Sequence, residues 1–94
     1  MIRNILTNDG MQPVEVLSTF EVFGIKLFTY RNDDFNEYRV AEITSGRTLA
    51  CGDSESDAIK CAMAVIHNSG EARMNKAITA AIAIGGVANK EAQQ

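Results

Sequence analysis

The stretch EYRVAEITSGRTLACGDSESDAIKCAMAVI, residues 37–66, predicts a β-hairpin followed directly by a helix. Its first part holds two runs, 37–44 and 47–51, whose β-branched, aromatic and aliphatic residues are typical of strands. Ser45-Gly46 separates the two runs, and a two-residue loop that contains Gly has the length that joins antiparallel strands. The register of the hairpin therefore centres on Ser45-Gly46.

The helix is predicted by a start signal and by periodic apolar residues. Ser54 is followed three residues later by Asp57, a pattern much like a capping box. Apolar residues then recur at spacings of three and four, which predicts a helix to about Asn68 with Gly70 as its C-terminal cap. These apolar positions are Ala58, Ile59, Ala62, Met63, Val65 and Ile66.

The flanking segments complete the predicted element order. IKLFTY (25–30) is expected to form a strand, and the polar RNDDFN (31–36) a turn. A second helix is expected from Glu71 to about Ile84. Residues 13–23 fit a helix that begins at Pro13 or, because of their β-branched content, a strand; we favour the helix.

Together these elements predict an α+β domain. Its core is a three-stranded antiparallel sheet packed by helices, in the order α-β-β-β-α-α. A chain of 94 residues suits one small domain. Residues 1–12 are expected to form an N-terminal arm and residues 86–94 a polar C-terminal tail.

Composition narrows the class of protein. The hydrophobic fraction of 46% is that of a folded globular chain, and the net charge of −3 does not favour binding nucleic acid by bulk charge. We expect no signal peptide, because the apolar stretch in MIRNILTNDG (1–10) is too short for one. We expect no membrane span, because the uncharged stretch 77–89 is too short to cross a bilayer, and a cytoplasmic location follows as the expectation. Cys51 and Cys61 have no CxxC spacing, so we expect both to be reduced. We also expect both to be buried as small hydrophobic residues.

Two families resemble parts of this sequence. PVEVL (13–17), NEYRVAEITSGRTLACG (36–52) and SESDAIKCAMAVI (54–66) are similar in order to the elements of double-stranded RNA-binding domains. The three strands and following helix, with GDSESDAI at the helix start, also resemble HicB antitoxins. The RNA-binding resemblance implies lysines at the start of the last helix, but residues 54–57 are Ser, Glu, Ser and Asp. The absence of these lysines argues against RNA binding.

Carboxylates are the main candidates for a functional surface. In an up-down-up sheet, the turn between the first two strands and the exit of the third strand lie at the same end. We therefore expect six acidic residues to converge on one acidic edge, with Arg31 and Arg39 as partial compensation. The six are Asp33, Asp34, Glu37, Asp53, Glu55 and Asp57.

The acidic edge has two explanations. Acidic residues near a helix N-terminus favour the helix dipole and cap free N–H groups, which accounts for the three from 53 to 57 individually. The facing turn adds three more like charges, which this local effect does not explain. The functional interpretation is a surface that docks on a basic partner, with Tyr30, Phe35 and Tyr38 as aromatic anchors.

Catalytic and metal chemistry find little support in the sequence. His67 is the only histidine, and it lies six positions after Cys61 on the predicted helix, so the two point apart. There is no GxxxxGK[ST] or GxGxxG motif and no paired nucleophile and base. We therefore predict no enzyme activity, no metal and no cofactor.

Two further features suggest association. With the register set by Ser45-Gly46, one sheet face carries Val40, Leu49 and Cys51, and the other carries Ala41, Ile43 and Ala50. The second face is expected to be exposed unless a β-bulge reverses it or a partner covers it. The run AITAAIAIGGVA (77–88) has small residues that allow close helix contact, so a homodimer through this helix is an alternative to core packing.

These observations predict a non-catalytic protein-binding module whose acidic edge docks on a basic surface. By analogy with other short chains, a phage or mobile-element inhibitor of host machinery is one setting for it. The alternatives are a nucleic-acid-binding module and an antitoxin-like regulator. The former would use Arg31, Arg39, Arg47 and Lys60.

Overall fold

The computed structural model describes residues 1–90, which form two helices and two antiparallel sheets. The α+β class is confirmed. The elements are β1 Ile2–Thr7, β2 Gly10–Glu15, β3 Ser18–Val22, β4 Ile25–Asn32, β5 Glu37–Glu42, β6 Thr48–Gly52, α1 Glu55–Ser69 and α2 Glu71–Gly85. The larger sheet has the order β3-β4-β5-β6, and β1 pairs with β2 alone.

The helix predicted over residues 13–23 is wrong, and with it the three-stranded sheet and the α-β-β-β-α-α order. Its residues complete β2 and form β3, a fourth strand of the main sheet. Along β3 half-buried and exposed residues alternate, so the side chains follow the period of two that a strand requires. Phe23 and Gly24 both have positive φ, 53° and 77°, which suits the tight turn that pairs β3 with β4.

The first twelve residues, predicted as an arm, instead form β1 and half of β2. Ile5 of β1 is buried. Leu6 N donates to Gly46 O (2.8 Å), which ties this hairpin to the loop after β5. The N-terminal segment is therefore a structural layer of the domain.

The main sheet is apolar on both faces. One face packs on α1 and α2 around Leu27, Val40, Ala62, Ile66 and Met74. The other face carries buried side chains of β4, β5 and the following loop, and β1, β2 and Val16 cover it. This second cluster contains Ile5, Phe28, Tyr30, Ala41 and Ile43, with Val14 and Val16 against it.

The β5–β6 register differs from the predicted one. Val40 pairs with Ala50 but Ala41 pairs with Thr48, so Leu49 is bulged out of the ladder. Ala50 therefore lies on the same face as Val40, and Cys51 on the opposite one, contrary to the predicted assignment.

The loop between β5 and β6 spans residues 43–47, and Gly46 has a φ of 72°. A Cβ on Gly46 would lie 2.8 Å from Cβ of Ala88, so the hairpin, loop and C-terminal segment meet where only Gly fits.

The predicted boundaries of the two C-terminal helices are largely confirmed. Asp57 N donates to Ser54 Oγ (3.1 Å), as the capping pattern requires. Gly70 has a φ of 81° and its N–H donates to Ile66 O, which ends α1. In α1 a stripe of Ala58, Ala62 and Ile66 is buried, whereas α2 buries only Met74 and Ala81.

The C-terminal segment is packed where a polar tail was predicted over 86–94. Asn89 is 4% exposed. Its Nδ2 donates to Ile43 O (2.6 Å) and to Asn4 O (3.1 Å), and its Oδ1 accepts from Asn4 N (2.9 Å). One amide thus joins β1, the 43–47 loop and the C-terminal segment. Residues 91–94 lie outside the described residues.

Both cysteines are exposed and free, so the prediction that they are buried is wrong. Cys61 lies outside the buried stripe of α1, which consists of Ala58, Ala62 and Ile66. Within residues 1–90, neither helix has the length and apolar character that a membrane span requires.

Replacing Asn89 with Ala should lower the free energy of unfolding by about 1–3 kcal/mol, because Asn4 and Ile43 would lose buried hydrogen-bond partners. Denaturant unfolding followed by circular dichroism measures this change. The matched control is Asn75→Ala on the exposed side of α2, which should change stability by no more than about 0.5 kcal/mol. Equal effects of the two substitutions would contradict the joining role of Asn89.

Candidate protein-binding surface

The β4–β5 turn and the start of α1 lie at the same end of the main sheet. Tyr38 at the start of β5 pairs with Gly52 at the end of β6. The turn of residues 33–36 precedes β5, and Asp53 and Ser54 follow β6. The segments that carry the six predicted acidic residues are therefore neighbours. This surface corresponds to the acidic edge predicted from the sequence, and we call it the acidic end.

The turn itself is ordered by its polar side chains. Phe35 N donates to Asn32 Oδ1 (3.1 Å), and Asn36 takes a positive φ of 51° to lead into β5. This arrangement leaves the Phe35 ring 70% exposed at the tip of the turn. A large apolar side chain presented in this way on a polar turn is a candidate anchor for a partner.

Two arginines neutralise part of the acidic end. Arg31 Nε lies 3.1 Å from Asp33 Oδ1, and the same side chain donates to Asn36 and lies over the Tyr38 ring. Arg39 Nη2 lies 2.6 Å from Glu37 Oε1, and its guanidinium is 5.2 Å from the Phe35 ring centroid. Two of the six carboxylates are thus paired within the surface itself.

Arg39 keeps its charge in this setting. Partial burial lowers the pKa of its guanidinium, but hydrogen bonds and charge interactions with Glu37 and Tyr30 together outweigh that effect, and the pKa lies above its ordinary value. Arg39 is therefore a permanent cation that holds Glu37 and supports the Phe35 ring from one side.

The other four carboxylates of the acidic end differ in their contacts. Glu55 is half-buried and its Oε1 accepts from Ser18 Oγ (2.6 Å), which in turn contacts Thr29 Oγ1 (2.9 Å). Glu55 therefore links α1 to β3. Among residues 1–90, no ion pair involves Asp34, Asp53 or Asp57, and all three are exposed.

The three predicted aromatic anchors have different positions. Tyr30 is 1% exposed and its hydroxyl lies 2.7 Å from Thr48 Oγ1, so it is a core residue and the prediction that it contacts a partner is wrong. Side chains along β4 alternate between the two faces of the sheet, and that of Tyr30 lies on the face covered by the N-terminal hairpin. Tyr38 is half-buried beneath Arg31, and Phe35 alone of the three is fully presented.

Metal-binding geometry is not found in the described part of the chain. No group of three or more His, Cys, Asp or Glu side chains within residues 1–90 is arranged to hold an ion. His67 is exposed and packs edge-on against Phe23, with ring centroids 5.1 Å apart. His67 is therefore a surface residue of α1.

A second surface, missed by the sequence analysis, lies at the other end of β5. There a cleft of about 450 Å³ opens between the 43–47 loop, β6 and α2. Arg47, Arg73 and Lys76 stand on its walls, and all three are exposed. The spacing of Arg73 and Lys76 could have indicated a cationic helix face, because residues three apart in a helix lie on the same side. That this face borders the same cleft as Arg47 depends on how α2 folds back, which the sequence does not show.

No protein-family profile, curated protein or solved structure is detectably similar to this chain. The resemblances to double-stranded RNA-binding domains and to HicB antitoxins therefore stay predictions.

Two aromatic-to-Ala substitutions on the β4–β5 hairpin should have different effects on stability. Tyr30→Ala should cost roughly 3–5 kcal/mol, since it leaves a cavity in the second core cluster. Phe35→Ala should cost at most about 1 kcal/mol, the size of its contact with Arg39. Chemical unfolding of both variants measures the difference, and a comparable loss for Phe35→Ala would show that its ring supports the fold.

Proposed function

We propose that this chain is a non-catalytic protein-binding module whose acidic end docks on a basic surface of another protein. The observation that carries this proposal is the 70% exposed Phe35 ring, which lies at the same end of the sheet as three exposed carboxylates that form no ion pair within residues 1–90. A single apolar anchor surrounded by like charge is suited to a partner with a basic rim around an apolar pocket.

The charges and the ring have different roles in such a complex. Asp34, Asp53 and Asp57 attract a positively charged surface at long range and raise the rate of association. Phe35 supplies apolar area that is removed from water on contact. Asp33 and Glu37 are engaged by arginines, so they shape the surface more than they attract the partner.

The same contacts make nucleic acid the weaker alternative. Arg31 and Arg39 face carboxylates within the acidic end, which reduces what they offer a phosphate backbone. Arg47 belongs to the cleft at the opposite end of the sheet. A nucleic acid at Arg31 and Arg39 would lie beside Asp34 and Asp53, where like charges repel it.

The first test uses a tagged protein on nuclease-treated cell lysate, with three variants. Asp34→Asn/Asp53→Asn/Asp57→Asn removes the unpaired carboxylates, and Phe35→Ala removes the anchor. The matched control is Asp9→Asn/Glu21→Gln/Glu71→Gln, which removes the same charge from exposed sites elsewhere, including a turn and the first turn of a helix. Circular dichroism verifies that each variant is folded.

We expect a protein partner to be retained by the wild type and the control triple variant. It should be lost from the acidic-end variant and weakened for Phe35→Ala. Its retention should fall as salt rises, since exposed charges are screened over about 8 Å at physiological ionic strength. Carbodiimide cross-linking then maps the contact, because it joins carboxylates to nearby lysines. Equal loss from both triple variants, or recovery of nucleic acid alone, would contradict the proposal.

A further inference from the structure

The cleft between α2 and β6 has an apolar floor. Leu49, Val65, Met74, Ala77 and Ile78 line it. Its volume of about 450 Å³ lies within the range of roughly 300–1,000 Å³ that small-molecule sites occupy. The cleft exists because α2 buries only two of its residues and so does not close against the sheet.

Three cations stand around this apolar floor. Arg47 approaches from the loop after β5, and Arg73 and Lys76 approach from α2. Among residues 1–90, none of the three forms an ion pair. Cations that line one cleft without a carboxylate partner are available to an anion.

Among residues 1–90, Glu42 is the one carboxylate that lines the cleft, and its contacts are internal to the fold. Its side chain is 3% exposed. Its Oε2 accepts from Thr44 N (2.6 Å) and its Oε1 from Ser45 N (2.8 Å). The carboxylate thus fixes the 43–47 loop that positions Arg47, and its single charge leaves the cations in excess.

We propose that this cleft binds a small anionic amphiphile, a carboxylate or phosphate head on an apolar body. The body would lie on Leu49, Met74 and Ile78, and the head would contact Arg47, Arg73 and Lys76. A guanidinium can bind either kind of head through two parallel hydrogen bonds. The cleft is at the opposite end of β5 from the acidic end, so this inference is independent of the proposed protein partner.

The test uses sodium decanoate as the probe and amide chemical shifts of the ¹⁵N-labelled protein as the signal. Acetate provides the head without the body, and decyltrimethylammonium provides the body with the opposite charge. We expect saturable one-to-one shifts with decanoate at Leu49, Ala77 and Ile78, and none with the two control compounds. Decyl phosphate should give the same shifts, since the head chemistry is shared.

Two pairs of variants locate the site. Arg73→Gln/Lys76→Gln should weaken decanoate binding at least about tenfold, since charged hydrogen bonds to the head are lost. The matched pair Lys60→Gln/Lys90→Gln, exposed cations outside the cleft, should change it less than about twofold. Ala80→Trp should block the cleft, whereas Ala64→Trp on the exposed side of α1 should not.

Four results would overturn the proposal. The first is no saturable shift at millimolar decanoate, and the second is equal weakening by both charge-removing pairs. The third is binding to anionic phosphatidylglycerol vesicles without binding of free decanoate, which would indicate a charged surface and not a cleft. Shifts confined to Phe35 and its neighbours would likewise assign decanoate to the acidic end and reject the cleft.

Discussion

The main sheet is apolar on both faces, and the rest of the structure depends on covering both. In β4, Leu27 and Phe28 are adjacent, fully buried and on opposite faces. Each such side chain contributes about 1.5–3 kcal/mol when it is removed from water, so neither face can be left to solvent. The two C-terminal helices cover one face. The N-terminal segment covers the other, where the β1–β2 hairpin and Val16 pack over it.

This second layer is held by polar contacts as much as by apolar ones. Glu42 turns the chain after β5 by accepting two backbone N–H groups, and Gly46 leaves space for β1 and the C-terminal segment to approach. Asn89 of the C-terminal segment then forms hydrogen bonds with Asn4 of β1 and with Ile43 of the loop. Buried polar groups are costly unless they are satisfied, so these contacts define one arrangement of hairpin, loop and C-terminal segment.

The sheet also separates charge. The acidic end lies at the start of β5 and the cationic cleft beyond its end. The strand has six residues, which at about 3.3 Å each span roughly 20 Å, well beyond the Debye length of about 8 Å. The two ends therefore do not neutralise each other, and a small chain with a net charge of −3 presents two surfaces of opposite sign. The two proposals use these surfaces separately.

The amino-acid sequence by itself determined the local elements whose signals are short-range. Ser54, Asp57 and Gly70 marked the ends of α1, and the β-branched and aromatic runs marked β4, β5 and β6. The topology of consecutive strands was enough to bring the 33–36 turn and the start of α1 to one end. What made these predictions possible is that caps, turns and strand alternation act between residues a few positions apart.

Only the tertiary structure decided which residues those elements expose. Pro13–Phe23 carries both helix and strand signals, and pairing with β4 selected the strand for residues 18–22. Tyr30 became a core residue because a hairpin from the N-terminus packs over it, and Cys61 became exposed because α1 buries a narrow stripe. The cationic cleft required α2 to fold back, so that Arg73 and Lys76 line the same cleft as Arg47. Contacts between residues far apart in the chain set burial, and burial decides which side chains remain free to bind.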